Sequence, residues 1–600
     1  MLRAQGAYVQ RAVCQALERR LLLHAVADDP DYIHEEELGP GWDSHLIPSE
    51  EQLLADGGGE VGILSAWTTG VKKVLYIRAT FADKPTTEPQ TYSSAVSMMQ
   101  SVSQWLTDNS FGQVTFTAAD GVTIGATVTP LIVLPQTEQY YKDLGDSGDN
   151  QLLYDARTAA ANYVETDGSK PYNYLNYNLE AVRYSGGPGS FSGQAYVGGR
   201  GCWLKSSSVG VAAHEFGHNL GLWHANYWSA SDPQTVIGPG SNSEYGDIFD
   251  TMGSASAGKL HFSSYFKRKL DWITDTHVIH VTSGGVYRLS AHDLGGSIDN
   301  NLDYAIKINK DSDRDYWLDF RQNSGWSSNA WIWNGIGVRW DAWAQTSGSH
   351  LLDTTPYTPD GKNDAAVVIG RTFTDPIAGI HITPLAKYAT AVPSIDVAVY
   401  FGFSPNAPIL SSLSASATTV PVGATVNFSA SASDPDGDGL AYYWDFGDKT
   451  FGPNSDTASK SWSAAGEYVV RLTVSDMRGN TTSQYVVVKV GAPADASRIE
   501  GRVVDASGFP VADVRVHNGL SNTDPNYRFV YTDAEGYFSL AGVPSGSYTL
   551  GAAKAGWTFW RGNFANPVQV AGSPVAQLQF VGTPALYKVS GKVTSDGSTA

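Results

Sequence analysis

Cysteine is almost missing from this chain: Cys14 and Cys202 are the only two in 600 residues. That is too few for a disulfide framework, and neither stands in a CxxC pair that would hold zinc or cycle electrons. Long apolar runs are absent as well. No stretch reaches the ~18–20 consecutive apolar residues needed to cross a bilayer, which excludes a helical membrane span. Positive charge is scarce, with 40 Lys and Arg against 60 Asp and Glu and a formal net charge of −20. Such a surface repels polyphosphate backbones and disfavours a nucleic-acid partner. An export leader is not visible either, because Arg19-Arg20-Leu21-Leu22-Leu23-His24 is too short and interrupted for one. Glycine and proline are plentiful instead, 62 and 28 residues, which points to turn-rich β structure.

The length calls for several domains. Residues 1–68 combine a helical-looking stretch, Val9 to Leu23, with an acidic loop-like stretch, and read as an accessory or pro-segment. Residues 70–274 read as an α/β domain. Its strands are Lys72 to Asp83, Gln113 to Ala118 and Gln194 to Gly199. One helix carries Val96, Met99, Val102 and Leu106 at helical spacing, and a second, Ser-capped helix runs from about Ser208 to Leu220. Residues 275–404 show short alternating runs and read as all-β. Trp317, Trp326, Trp331, Trp333, Trp340 and Trp343 crowd into this stretch, as core faces by preference, with a stacking platform for sugar or peptide as the alternative.

Three units close the chain. Residues 405–492 carry Tyr443-Trp444-Asp445-Phe446-Gly447-Asp448 and the run from Gly466 to Asp476, and resemble a polycystic-kidney-disease-type (PKD) β-sandwich. Within it Asp434, Asp436 and Asp438 alternate as calcium-loop carboxylates do. They lie between strands, so an EF-hand is excluded; a polar hairpin is the default and Ca²⁺ the alternative. Residues 496–584 resemble a carboxypeptidase-regulatory-type β-sandwich. Residues 586–600 repeat its opening, Lys588-Val-Ser-Gly-Lys-Val-Thr against Arg498-Ile-Glu-Gly-Arg-Val-Val, and read as the start of a further copy in a truncated chain.

Chemistry concentrates at Val211 to Trp228, which contains His214-Glu215-x-x-His218-x-x-Gly221-x-x-His224. Residues four apart share a helix face, so His214 and His218 present two imidazoles to one ion. Position 224 would be rotated away on a continued helix. Gly221 tolerates the positive φ that turns the chain and brings His224 back. Three imidazoles leave one tetrahedral position open, the mark of a catalytic rather than a structural zinc site. A bare HExxH match arises by accident in helical proteins, but chance assembly of the extended pattern in this chain is on the order of 10⁻⁵. His34-Glu35 lacks the second histidine and reads as surface charge.

The extended motif resembles the metzincin clan of zinc proteases, which adds a later methionine turn. Tyr245-Gly-Asp-Ile-Phe-Asp-Thr-Met252-Gly253 matches that turn, and the resemblance implies that Met252 forms an apolar floor under the imidazoles. With His261 to Trp272 the pattern is similar to gametolysin-like enzymes, and less closely to immune-inhibitor-A-like ones. Ser254 stands where an astacin-like enzyme has tyrosine, which disfavours that subtype.

The expected activity is peptide-bond hydrolysis by one catalytic Zn²⁺ with Glu215 as general base. The resemblance implies substrate extended along an edge strand, for which Gln194 to Gly201 is the candidate. Trp223, Tyr227 and Trp228 are the candidate aromatic walls of the substrate pocket, with helix-end packing as the alternative. Cys14 is either a packed cysteine or a thiolate plug on the metal. The expected substrate is an extracellular, cell-surface or matrix protein or glycoprotein, and the expected location is extracellular or cell-surface because of the C-terminal modules. Two other readings stay open: an adhesion protein with a non-catalytic metzincin-like domain, and zinc hydrolysis of a non-peptide amide.

Overall fold

A computed structural model describes residues 44–46, 64–254, 260–323, 329–341, 348–492 and 497–585. The expected helix at Val9 to Leu23, Cys14, His34-Glu35, Trp326, Trp343 and the repeat at 586–600 lie outside these residues. The molecule is multidomain and mainly β, with few helices. No helix among the described residues is long and apolar enough to cross a membrane.

The first sheet runs β1 (Ser44–Leu46), β6 (Gly193–Tyr196), β7 (Gly201–Leu204), β5 (Leu179–Arg183), β2 (Gly70–Thr80) and β3 (Val114–Thr117), with β4 (Thr127–Val133) also on β2. Every pairing is parallel except β6 with β7. β2 is buried along most of its length, as its apolar run requires of a strand covered on both faces. Helix α1 (Tyr92–Asn109) opens on Thr91, whose side chain accepts from the Ser94 N–H. It packs with α3 (Val209–Asn219) over the sheet, and Phe116 meets Phe216 edge-on at 4.9 Å. Helix α2 (Gly148–Asn162) lies with Leu152, Leu153, Ala156 and Ala160 in a second core beside Trp203.

The segment after α3 leaves this sheet and joins another. β8 (Ala225–Ala230) and β9 (Gly240–Ser243) continue a sheet formed by β10 (Val278–Val281), β11 (Ala305–Asn309), β12 (Asp315–Asp319), β13 (Gly335–Asp341) and β14 (Ser349–Leu351). The order is β10-β11-β12-β13-β14-β8-β9, with β8 parallel to β14. Position 274 therefore falls inside a structure whose one sheet draws strands from both sides of it. Val278, Ala305 and Trp317 also complete the core that holds Phe216 and Met252. Trp317 and Trp340 are core residues, and Trp331 and Trp333 are half-buried.

Two β-sandwiches follow. The first packs Val426, Phe428, Trp444, Trp462 and Leu472 between its sheets, and the second packs Ile499, Val503, Phe538 and Phe580.

Candidate metal centre

Helix α3 begins where Ser208 accepts a hydrogen bond from the Val211 N–H at 3.4 Å. It stops at Asn219 because Gly221 adopts φ +108°, a conformation that strains any residue with a Cβ. The N–H groups of Gly221 and Leu222 close the helix on the carbonyls of His218 and Gly217, at 2.8 and 3.0 Å. The reversed chain delivers His224 to the face that carries the other two histidines. Nε2 of His218 lies 3.1 Å from Nε2 of His214 and 3.1 Å from Nε2 of His224.

Each ring is oriented from its other nitrogen. Nδ1 of His214 meets the Thr251 carbonyl at 2.7 Å, that of His218 the Leu222 carbonyl at 2.8 Å, and that of His224 a Glu244 carboxylate oxygen at 2.6 Å. An acceptor at every Nδ1 keeps the ring proton there and turns three Nε2 lone pairs toward one point. Lone pairs this close repel unless a cation lies between them. In a tetrahedral zinc site with bonds of about 2.0–2.1 Å the nitrogens stand about 3.3 Å apart, so the three rings fit such an ion. All three histidines are buried, His218 completely.

Glu215 is fully buried and lies against strand β6: a Cβ added to Gly193 would sit 2.1 Å from its Oε1. Met252 is fully buried beneath the helix, where a Cβ on Gly217 would come 2.4 Å from its sulfur. The Met252 turn is braced by two buried carboxylates. Asp250 accepts from the Met252 and Ser263 N–H groups at 2.8 and 2.6 Å, and Asp247 accepts from the Phe249 N–H at 2.8 Å. Burial and the neighbouring Asp247 raise the Asp250 carboxyl to about 6. The Tyr245 ring lies 3.9 Å from the His224 ring, centroid to centroid. Cys202 is buried in β7, and burial lifts its thiol well above the ordinary range, which leaves it unsuited to nucleophilic work.

Two of the three aromatic candidates fall in different clusters, Trp228 in the core of the second sheet and Tyr227 beside Phe249 and Leu351. Trp228, 5% exposed, packs edge-on to Trp340 at 5.3 Å in the core of the second sheet, because β8 has crossed into that sheet. Tyr227, half-buried, lies under the Lys362 ammonium at 4.6 Å, and Trp223 is half-buried. The edge strand predicted for substrate exists as β6, but its outer side pairs in parallel with Ser44–Leu46. Asp434, Asp436 and Asp438 converge with ligand atoms within 4.8 Å of one another. The oxygens of Asp436 and Asp438 are engaged by side chains from other segments, whereas Asp434 accepts from the Asp436 and Asp438 N–H groups through Oδ1 and its buried Oδ2 has no hydrogen-bond partner among the described residues. Ser404 donates to Asp436 and Asp438 at 2.8 and 2.6 Å, Asn406 donates twice to Asp436, and Arg478 pairs with Asp438 at 2.9 Å.

Sequence reasoning missed Gly193, Glu244 and Thr251. Gly193 and Thr251 act through a missing side chain and a backbone carbonyl, neither of which has a motif. Glu244 had one available signal, a carboxylate close before the methionine turn.

Comparison with known proteins identifies a PKD domain at residues 412–489 and a carboxypeptidase regulatory-like domain at residues 498–578. No curated protein matches the chain. Among solved structures, the PKD domain of an M14-like peptidase from Thermoplasmatales archaeon SCGC AB-540-F20 is 25% identical, covering 15% of this chain and 96% of that one, with a TM-score of 0.13. The PKD1 domain of Vibrio anguillarum Epp is 28% identical over 15% of this chain and 100% of that one, TM-score 0.13. The PKD1 domain of the Vibrio cholerae metalloprotease PrtV is 27% identical over 14% and 100%, TM-score 0.13.

Proposed function

We propose that the chain is a metzincin-type, gametolysin-like zinc endopeptidase acting outside the cell on protein or glycoprotein substrates. One observation carries the reading: three buried Nε2 atoms aimed at a common point, each fixed by an acceptor on its Nδ1, beside a buried glutamate. A merely structural histidine cluster has no need of three matched tautomers. When bound, zinc supplies a Lewis acid and lowers the pKa of water toward about 7.

The chain's own residues do the rest. His214, His218 and His224 hold the ion and leave its fourth side open. Glu215 takes a proton from the attacking water and returns it to the departing amine. Burial strengthens that exchange by excluding bulk water. Met252 fills the space under the rings and keeps them from tilting. The PKD and carboxypeptidase regulatory-like modules hold the enzyme on a polymeric or cell-surface substrate.

Casein cleavage by the purified chain, abolished by 1,10-phenanthroline, restored by zinc and lost in Glu215→Ala, is the expected result. Cleavage that persists in Glu215→Ala overturns the mechanism. A protein that holds zinc yet cleaves nothing fits the adhesion reading instead, which the presence of two non-catalytic modules favours.

A further inference from the structure

The metal centre is framed by the region beyond 274, and one buried side chain joins the two. Arg339 stands on β13, 1% exposed. Its Nε donates to Asp247 Oδ2 at 2.6 Å, and its Nη1 donates to Asp319 Oδ1 at 2.9 Å. Asp247, fully buried, is the knot of the methionine turn. Its N–H donates to the Ala225 carbonyl at 3.1 Å, and its own carbonyl accepts from the Ser254 N–H at 3.0 Å. A Cβ on Gly253 would come 2.2 Å from that carbonyl and 2.7 Å from the Ala225 carbonyl, so the packing is tight enough to transmit a shift.

Both ends of this knot reach the histidines. Ala225 follows His224 directly, and its N–H donates to the Met252 carbonyl at 2.9 Å. Thr251, in the same turn, supplies the carbonyl that orients His214. The residue before strand β14 adds a second hold: a Cβ on Gly348 would lie 2.7 Å from the His224 carbonyl.

We propose that Arg339 is a positioning residue of the three-histidine centre, acting through Asp247 on the turn that orients His214 and His224. The inference rests on the zinc-site reading and extends it to a strand more than a hundred residues away. Arginine's planar fork holds Asp247 and Asp319 at once with fixed geometry, which a lysine ammonium reproduces only in part.

The test uses the full chain. Zinc affinity is measured by chelator competition, and the d–d spectrum is recorded with cobalt in place of zinc. Arg339→Gln is expected to weaken zinc binding about tenfold and to move the cobalt bands, with Arg339→Lys recovering part of both. Asp319→Ala removes the arginine's other contact; it is expected to lower thermal stability and leave the bands unmoved. Should Arg339→Gln not fold, Asp247→Asn carries the same readout, because Asn still accepts from the Phe249 N–H. A folded Arg339→Gln or Asp247→Asn with wild-type affinity and bands overturns the inference while leaving the zinc reading intact. A wild-type chain that binds neither metal overturns both.

Discussion

Three imidazoles converge in one region of this molecule and three carboxylates in another, and both sets bring their ligand atoms within 4.8 Å of one another. The histidines are buried, and each has an acceptor on the nitrogen that is not needed for a metal. The aspartates are partly exposed; Asp436 and Asp438 accept from Ser404, Asn406 and Arg478, and of the three only Asp434 keeps an oxygen without a hydrogen bond from the described residues. A cation at the first point meets lone pairs already turned toward it. At the second it must displace hydrogen bonds and an ion pair while water competes for the same oxygens. Convergence alone does not distinguish the two clusters; the direction of the surrounding hydrogen bonds does.

The strongest challenge to this contrast is Gly193→Ala. The added methyl collides with the end of the Glu215 side chain, a flexible group that can swing away, and not with backbone. Activity on casein is expected to fall at least about 100-fold, the scale of a displaced general base, with zinc content unchanged. Loss of zinc together with activity would mean that the strand supports the ligands themselves. Next in size is Glu244→Gln. The glutamate is the one Nδ1 partner that is a side chain and carries charge, so its loss is expected to weaken zinc binding about 10-fold or more. Asp436→Asn should leave zinc affinity unchanged, and the pair of measurements compares the two clusters directly.

Part of this centre was legible in the sequence and part was not, for physical reasons. The motif from His214 to His224 is local, since helix periodicity and one glycine fix its geometry, and Ser208 announced the helix start. The resemblance singled out Met252, which lies buried against Gly217 of the helix. The supports of the site are long-range. Thr251 contributes a carbonyl that every residue possesses, and Gly193 contributes empty space. Arg339 reaches Asp247 only because two sheets meet beside the turn. The same topology explains Trp228: its position four residues after His224 invited a role in the pocket, but β8 carries it into another core. For the PKD and carboxypeptidase regulatory-like units the signal was local again, strand runs with turn residues between them.

Burial also separates carboxylates elsewhere in the chain. Asp364 is 5% exposed, and burial together with the nearby Asp353 raises its carboxyl to about 7. Asp436 is exposed, and hydrogen bonds from Asn406 and Ser404 lower its carboxyl below the usual value. The signs are opposite. Between the unfolded value of about 4 and the folded value of about 7, native Asp364 holds a proton that the unfolded chain has released, so stability falls as pH rises through this window. The slope is at most about 1.4 kcal/mol per pH unit. Asp364→Asn is expected to remove that slope in urea unfolding followed from pH 4.5 to 7.5. An unchanged slope would assign the dependence to other groups, Asp250 first among them.

The smallest effect concerns calcium at Asp434, Asp436 and Asp438, where we propose a weak site only. Extracellular calcium modules bind in the range of about 10⁻⁴–10⁻³ M, and a cation that must displace Arg478 and the Ser404 and Asn406 donors belongs at the weak end. At about 1 mM calcium this stabilises the folded unit by about 0.4–1.4 kcal/mol. Titration calorimetry on the full chain, with zinc already saturating, should register this heat and lose it in Asp436→Asn. Affinity in the micromolar range would reverse the contrast between the clusters. It would mean that the hydrogen bonds from Ser404 and Asn406 hold the carboxylates in place for the ion instead of competing with it.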